Sequence, residues 1–318
     1  MKKSSIQSVV LAITYKCNLK CKMCNIWQNP NPSDISLDYL NNIQGLKYIN
    51  LSGGEPFLQK NLTDIIKKLK ENNPQSNIII STNGYARDLI VKSMEEIITI
   101  APQIGVRVSL DGIGDLHNKI RGINDAYEKA IDTVRSLKKI GLNNLGIAFT
   151  LMPDNSDQIR KMYDLSKELD VQFSISSVQN SDIYFNKSNN NLNFNDQIDE
   201  DLNYIIKEEL SSWNFKRWLR AYFIFGLKYY IETKKRLIPS DTGEFSVFID
   251  VDGEIYPSNL VSEKLGNIKN TRLDELKYEN KFTDDHWTVC TIRGTMKKYW
   301  YKVMIWVLKN KVKAILDK

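Results

Sequence analysis

The sequence predicts an α/β protein: a partial (β/α)6 barrel of TIM type followed by a small C-terminal α+β extension. Three observations carry the prediction. Short β-branched runs alternate with helical periods from residue 8 to about 176, six strands in all. The strand candidates are apolar nearly throughout, as strands covered by helices on both faces must be. The chemically unusual residues follow the C-terminal ends of successive strands, the face on which such barrels build their sites.

In chain order the strands are expected at 9–14, 48–52, 77–81, 105–110, 145–151 and 171–176. Helices are expected at 37–44, 62–72, 87–100, 126–140 and 156–169. Their apolar residues recur at three- and four-residue steps, as in Leu62, Ile65, Ile66 and Leu69. Residues 180–195 hold seven Asn and read as a loop or boundary. Helices near 196–211 and 213–234 follow, then a hairpin whose turn is Val251-Asp252-Gly253. A basic helix is expected from about Thr295. The domains are therefore drawn as 1–195, 196–294 and 295–318.

Composition places the chain among globular proteins, with 42% hydrophobic and 26% charged residues in 318. The net charge of +6 is local. Residues 213–236 carry seven Lys/Arg against one Glu, and 287–318 carry eight against one Asp. An anionic partner would bind there, unless the lysines are simply the wet faces of docked helices. In the final helix Trp300, Val303, Met304, Val307, Leu308 and Ile315 are expected along one apolar face. Lys302, Lys309 and Lys313 lie opposite, and Lys311 interrupts the apolar face. Basic helices with Trp can lie on anionic membranes, so the expected location is the cytoplasm, open to peripheral membrane contact. No stretch approaches the roughly 18 apolar residues of a spanning helix. No nucleic-acid module appears, and no nucleic-acid partner is expected.

Three of the four cysteines, Cys17, Cys21 and Cys24, fall within eight residues after the first strand. A [4Fe–4S] cluster normally takes four thiolates, one per iron. Three leave one iron open to a ligand. A structural zinc site would want a fourth Cys or His, and the nearest His is His117, read as lying on another loop. The fourth cysteine, Cys290, reads most simply as a small buried apolar side chain.

The segment Thr14-Tyr15-Lys16-Cys17-Asn18-Leu19-Lys20-Cys21-Lys22-Met23-Cys24 resembles the cluster motif of the radical S-adenosylmethionine (SAM) superfamily. Gly53-Gly54-Glu55-Pro56 resembles the family's loop after the second strand. The resemblance implies that Cys17, Cys21 and Cys24 hold one [4Fe–4S] cluster. It further implies that Met23 lies by the adenine and that Gly53, Gly54, Glu55 and Pro56 take up the SAM amino group. Ser81 and Asn83 match a third-strand end that approaches SAM, and Ser109 and Asp111 match the fourth. Arg121 resembles a position whose guanidinium pairs with the SAM carboxylate, which suits its planar fork. The implied activity is reductive cleavage of SAM, then hydrogen abstraction from a substrate by the 5′-deoxyadenosyl radical. Flavodoxin or ferredoxin is the expected type of electron donor.

Residues from Gly243 to about Arg293 resemble the SPASM/twitch extension of the same superfamily, carried by Phe248-Ile249-Asp250-Val251-Asp252-Gly253-Glu254-Ile255-Tyr256-Pro257. Ser258 and Ser240 stand where relatives place cysteines, and His286 and Cys290 stand near a usual cysteine pair. Ser is a poor iron–sulfur ligand, so no auxiliary cluster is expected. SPASM-type relatives often modify peptides, which makes a peptide or protein the first expectation for the substrate. A small or lipid-linked molecule is the alternative, and a catalytically silent cluster-binding protein a further one.

Overall fold

The computed structural model describes residues 2–3, 6–194, 198–278 and 285–316. Its main sheet starts from β1 (Ser8–Thr14), whose seven residues are all buried, as a central strand covered on both faces must be. Parallel to it run β2 (Tyr48–Gly53), β3 (Asn77–Thr82), β4 (Gly105–Ser109), β5 (Asn144–Leu151) and β6 (Gln172–Ser177), in sequential order. On the other side of β1 comes β7 (Ser246–Ile249), also parallel, then β8 (Glu254–Tyr256) and β9 (Gly266–Asn267), each antiparallel to the strand before it. The order β9-β8-β7-β1-β2-β3-β4-β5-β6 leaves the sheet open, a partial barrel as the sequence predicts. The hairpin extends the barrel sheet itself, through the Val10–Phe248 register.

The covering helices are α1 (Leu62–Asn72), α2 (Arg87–Ile100), α3 (Asp115–Arg121), α4 (Ala126–Lys139) and α5 (Ile159–Glu168). The helix expected at 37–44 is instead a 3-10 segment, Leu37–Asn42. It buries only Leu40, too little apolar surface to stabilise an α-helix. The helix expected from residue 156 starts at Ile159, because Pro153–Gln158 form a separate 3-10 segment. Within it the Asn155 amide donates to the carbonyls of Asp111 and Thr150 at 2.9 Å each. Residues 115–121, read as loop, form α3, seven residues bounded by Gly114 and Gly122, both at positive φ.

Beyond the barrel come α6 (Ile198–Ser211), α7 (Phe215–Thr233), α8 (Val289–Lys298) and α9 (Trp300–Leu316). The domain boundary drawn at 195/196 falls outside the described residues. The final helical region begins at Val289, earlier than Thr295, and breaks at Tyr299. The face of α9 also differs from expectation. Val303, Val307, Lys311 and Ala314 are buried, one side at steps of four, four and three, whereas Trp300 and Leu308 are exposed. The side chain of Ile315 lies outside the described residues. Lys311 belongs to the buried face because its Nζ donates to the carbonyls of Leu210 (2.8 Å) and Ser212 (2.6 Å). Its stem lies along apolar surface while its head is satisfied. Among the described residues no helix is long and apolar enough to cross a membrane.

Candidate active site

A cavity of about 300 Å³ opens at the C-terminal ends of the parallel strands. Cys17, Cys21 and Cys24 line it on one side. Their loop is held by backbone bonds from three directions. Lys20 and Lys22 donate to the carbonyls of Arg121 and Ile120 at the end of α3, and Asn25 donates to Phe185. Glu55 donates to Lys16 and Gly54 to Thr14, both at 2.8 Å. That close approach explains the glycine pair. A Cβ on Gly53 would stand 2.2 Å from the Thr14 oxygen, and one on Gly54 2.1 Å from the Lys16 oxygen. Gly122 is required for a similar reason: φ is +74° and its missing Cβ would lie 2.6 Å from the Lys20 oxygen.

Burial pushes the Cys17 thiol up to about 11 and the Cys24 thiol to about 12. Cys21 is also raised by burial, while Arg121 opposes the shift. Cys21 raises both of its neighbours and Cys17 raises Cys24, so a cation brought to the site would favour the three thiolates together. Arg121 is buried at the cavity wall. One Nη donates to the Cys21 sulfur at 3.7 Å and the other pairs with the Asp111 carboxylate at 2.6 Å. Its Nε is a buried donor without a hydrogen-bond partner among the described residues. Asp111 accepts from the Thr150 N–H at 2.9 Å, and its own N–H donates to His117 Nδ1. Burial, with Arg121 nearby, holds His117 down at about 2, so this ring is neutral.

Of the residues singled out in the sequence, Met23, Gly53, Gly54, Ser81, Asn83, Ser109 and Arg121 line the cavity with the three cysteines. Glu55, Pro56 and Asp111 stand behind its wall. Glu55 is fully buried and accepts from the N–H of Asn83 (2.7 Å), the Thr82 hydroxyl (2.8 Å) and the N–H of Phe57 (3.3 Å). It clamps the end of β2 to the end of β3. Burial raises its carboxyl to about 7 against those three donors.

Two parts of the wall were not foreseen. The Asn-rich stretch folds across the cysteine loop as a strap: Asn190 donates to the Met23 carbonyl and Lys187 Nζ to that of Lys22. It brings Tyr184 and Phe185 to the cavity, where the Tyr184 hydroxyl bonds Ser52 and accepts from the Gly53 N–H. The aromatic pair inside a polar run was the available signal. The second part comes from the C-terminal region: Asn259, Leu260, Thr288, Val289 and Cys290. Cys290, expected as an ordinary packed thiol, stands at the cavity wall, with Asn50 Nδ2 3.9 Å from its sulfur.

A family model described as the radical SAM superfamily matches residues 11–166, which run from within β1 to within α5 and hold all three loop cysteines. Residues 11–166 are a radical SAM domain. It is 29% identical over 178 residues to the GTP 3',8-cyclase of Helicobacter pylori, 52% of this chain and 54% of that protein. It is 30% identical over 165 residues to the pre-heme d1 synthase of Dinoroseobacter shibae, 49% of this chain and 39% of that one. The chain thus spans about half the length, or less, of these two curated relatives. A protein named "Probable GTP 3',8-cyclase" from Methanocaldococcus jannaschii matches further, 25% identical over 83% of this chain and 88% of its own. Among solved structures, anSMEcpe with bound AdoMet superposes with a TM-score of 0.62 at 17% identity, covering 95% of this chain and 99% of that one. SuiB of Streptococcus suis gives 0.60 at 18%, covering 87% and 67%. These likenesses show the fold.

Radical SAM enzymes use a [4Fe–4S] cluster and S-adenosylmethionine. The cavity fits that pair on its own chemistry. A cubane places each thiolate on a different iron, so its ligands need not converge on one point. Among the described residues no three His, Cys, Asp or Glu side chains crowd together as a single ion requires. The unpartnered Nε of Arg121 is a donor awaiting an acceptor beside the thiols.

Proposed function

We propose that this radical SAM enzyme acts on a small, uncharged substrate bearing hydroxyl or amide groups, held in the cavity beside Cys17, Cys21 and Cys24. The observation that carries the reading is the chemistry of the wall. Among the described residues its only charged side chain is Arg121, already committed to Asp111. Its other polar side chains are mostly hydroxyls and amides, and those not assigned to SAM include Ser176, Ser177, Gln179, Thr150, Asn259 and Thr288. The relatives' printed names point to small molecules, which favours that class over the peptide expected first from the SPASM-like segment. A nucleoside triphosphate, however, calls for several cations on its phosphates, and this wall offers none free.

In this reading Cys17, Cys21 and Cys24 hold the cluster. Met23, Gly53, Gly54, Ser81, Asn83, Ser109 and Arg121 face the SAM, while Glu55, Pro56 and Asp111 hold those residues in place. When bound, the cluster and SAM supply a one-electron reduction and a carbon radical able to take hydrogen from an unactivated C–H bond. The chain's part is to orient and to exclude water. Tyr184 fixes the end of β2 through Ser52 and Gly53. The strap covers the cysteine loop. Trp27, whose indole N–H donates to the Cys24 carbonyl at 2.9 Å, adds an apolar wall. Residues 1–195 then form the catalytic unit and 196–294 its cover, with a flavodoxin or ferredoxin as donor.

The experiment is anaerobic reconstitution with iron, sulfide, SAM and dithionite, read as 5′-deoxyadenosine. Product well above enzyme-free controls is expected. It should rise with uncharged polyols or carboxamides and stay flat with GTP. No product at all would remove the assignment of these cysteines and SAM-facing residues. Stimulation by GTP alone would keep that assignment and overturn the uncharged substrate.

A further inference from the structure

We infer that the outward face of α9, with the turn at Trp213–Phe215, is a docking surface for an anionic lipid bilayer. The helix is fixed against the protein, so its outer face is defined. Val303, Val307, Lys311 and Ala314 are buried on one side, where α9 packs on α6 and α7. Lys311 sets the depth through its two carbonyl acceptors. At 100° per residue, Tyr301, Ile305, Leu308 and Val312 fall on one continuous arc away from that side. They are 47%, 54%, 59% and 59% exposed. Lys302, Lys309 and Lys313, all exposed, fill the adjoining arc. The span Trp300–Leu316 contains no acidic residue.

Aromatic side chains are also exposed near both ends of the helix, beside the stripe and not on it: Trp300 falls on the side of Val303 and Val307, and Trp213 lies by Lys311. Trp300 is 64% exposed, at the start of the helix. Trp213 is 82% exposed, with Lys311 Nζ 4.5 Å from its ring, so it sits beside the last turns. Phe215 is exposed next to Lys216. Ten large hydrophobic side chains are exposed among the described residues, and seven belong to α9 and this turn. Such concentration marks a surface meant to be covered.

The charge decides what covers it. Lysine is depleted in protein interfaces, and two copies of this face would bring two lysine arcs together. A bilayer with anionic headgroups takes both arcs at once: the apolar stripe enters the acyl boundary and the lysines meet phosphates. Tyr and Trp at the margins suit the headgroup level. The helix therefore lies along the surface.

The test is flotation of the full chain with vesicles of phosphatidylcholine containing about one-third phosphatidylglycerol, against phosphatidylcholine alone. Binding to the anionic vesicles at low salt is expected, weakening as salt rises. Each of K302Q, K309Q and K313Q should weaken it about fivefold. The double variant I305S/L308S should abolish it while leaving far-UV circular dichroism and 5′-deoxyadenosine formation unchanged. Absence of flotation by the unaltered chain at low salt would overturn the inference, as would undiminished binding by the double variant. A dimer that the double variant converts to monomer, without vesicle binding, would overturn it too and assign the face to self-association.

Discussion

The cavity wall and the outer face of α9 invert one another. At the cavity, charged groups are buried: Arg121, Asp111 and Glu55 lie almost wholly out of water, each with named partners. On α9, Ile305, Leu308 and Val312 stand in water with none of the cover a core would give. Both placements cost free energy in the isolated fold, and both are local. The difference is in how rigidly each is held. The buried charges are tied into the ends of β2, β3, β4 and β5, so disturbing them disturbs the barrel. The exposed side chains of α9 hold nothing else in place.

The sharpest break of that contrast is at the thiols. Cys24→Ala should abolish the brown iron–sulfur absorbance of reconstituted protein and reduce 5′-deoxyadenosine to the level of controls, checked by iron analysis beside the product assay. Next comes Gly54→Ala, whose new methyl would collide with the Lys16 carbonyl. A loss of about 3 kcal/mol is expected, measured by urea unfolding. His117 gives a pH dependence. Its folded pKa lies below its ordinary value of 6.5, near 2, so the unfolded chain takes up its proton first as the pH falls. Stability tied to this ring is complete above about pH 6.5 and falls by up to ~1.4 kcal/mol per unit below it, roughly 2 kcal/mol by pH 5. His117→Gln, whose amide oxygen can still accept from Asp111, should flatten that slope in melts run from pH 7 to 5.

Smaller effects complete the series. Tyr184→Phe removes one hydroxyl bridging Ser52 and Gly53 and should cost about 1 kcal/mol by thermal denaturation. Leu308→Ser, on the outer face of α9, should stay within about 0.5 kcal/mol. A loss as large as that at Gly54 would mean that the face is already covered within the chain.

Much of the barrel was legible because its elements repeat a simple period. The bounds of α1 and α2 follow from Leu62, Ile65, Ile66 and Leu69, and from Ile90, Met94 and Ile97, each set burying one side. The cysteine loop and the glycine pair were legible as residue types that only a special site demands. What escaped depended on partners far away in sequence. The short helix α3 has too few turns for a period to show. Lys311 is buried because Leu210 and Ser212 offer it carbonyls about a hundred residues upstream, which no local pattern encodes. The strap's Asn190, Lys187 and Tyr184 side chains find partners more than 130 residues upstream, and its Asn-rich composition signals only irregular backbone. Cys290 reaches the cavity because α8 packs near β1 and β7.

The strap's moorings on the Lys22, Met23 and Asn25 backbone tie two segments together that are more than 150 residues apart. They can neither tighten nor slacken independently. A protease that nicks the Asn-rich stretch would thus act as a gauge of the thiols: metal-bound protein should resist cutting there, and oxygen-damaged protein should yield first at that point.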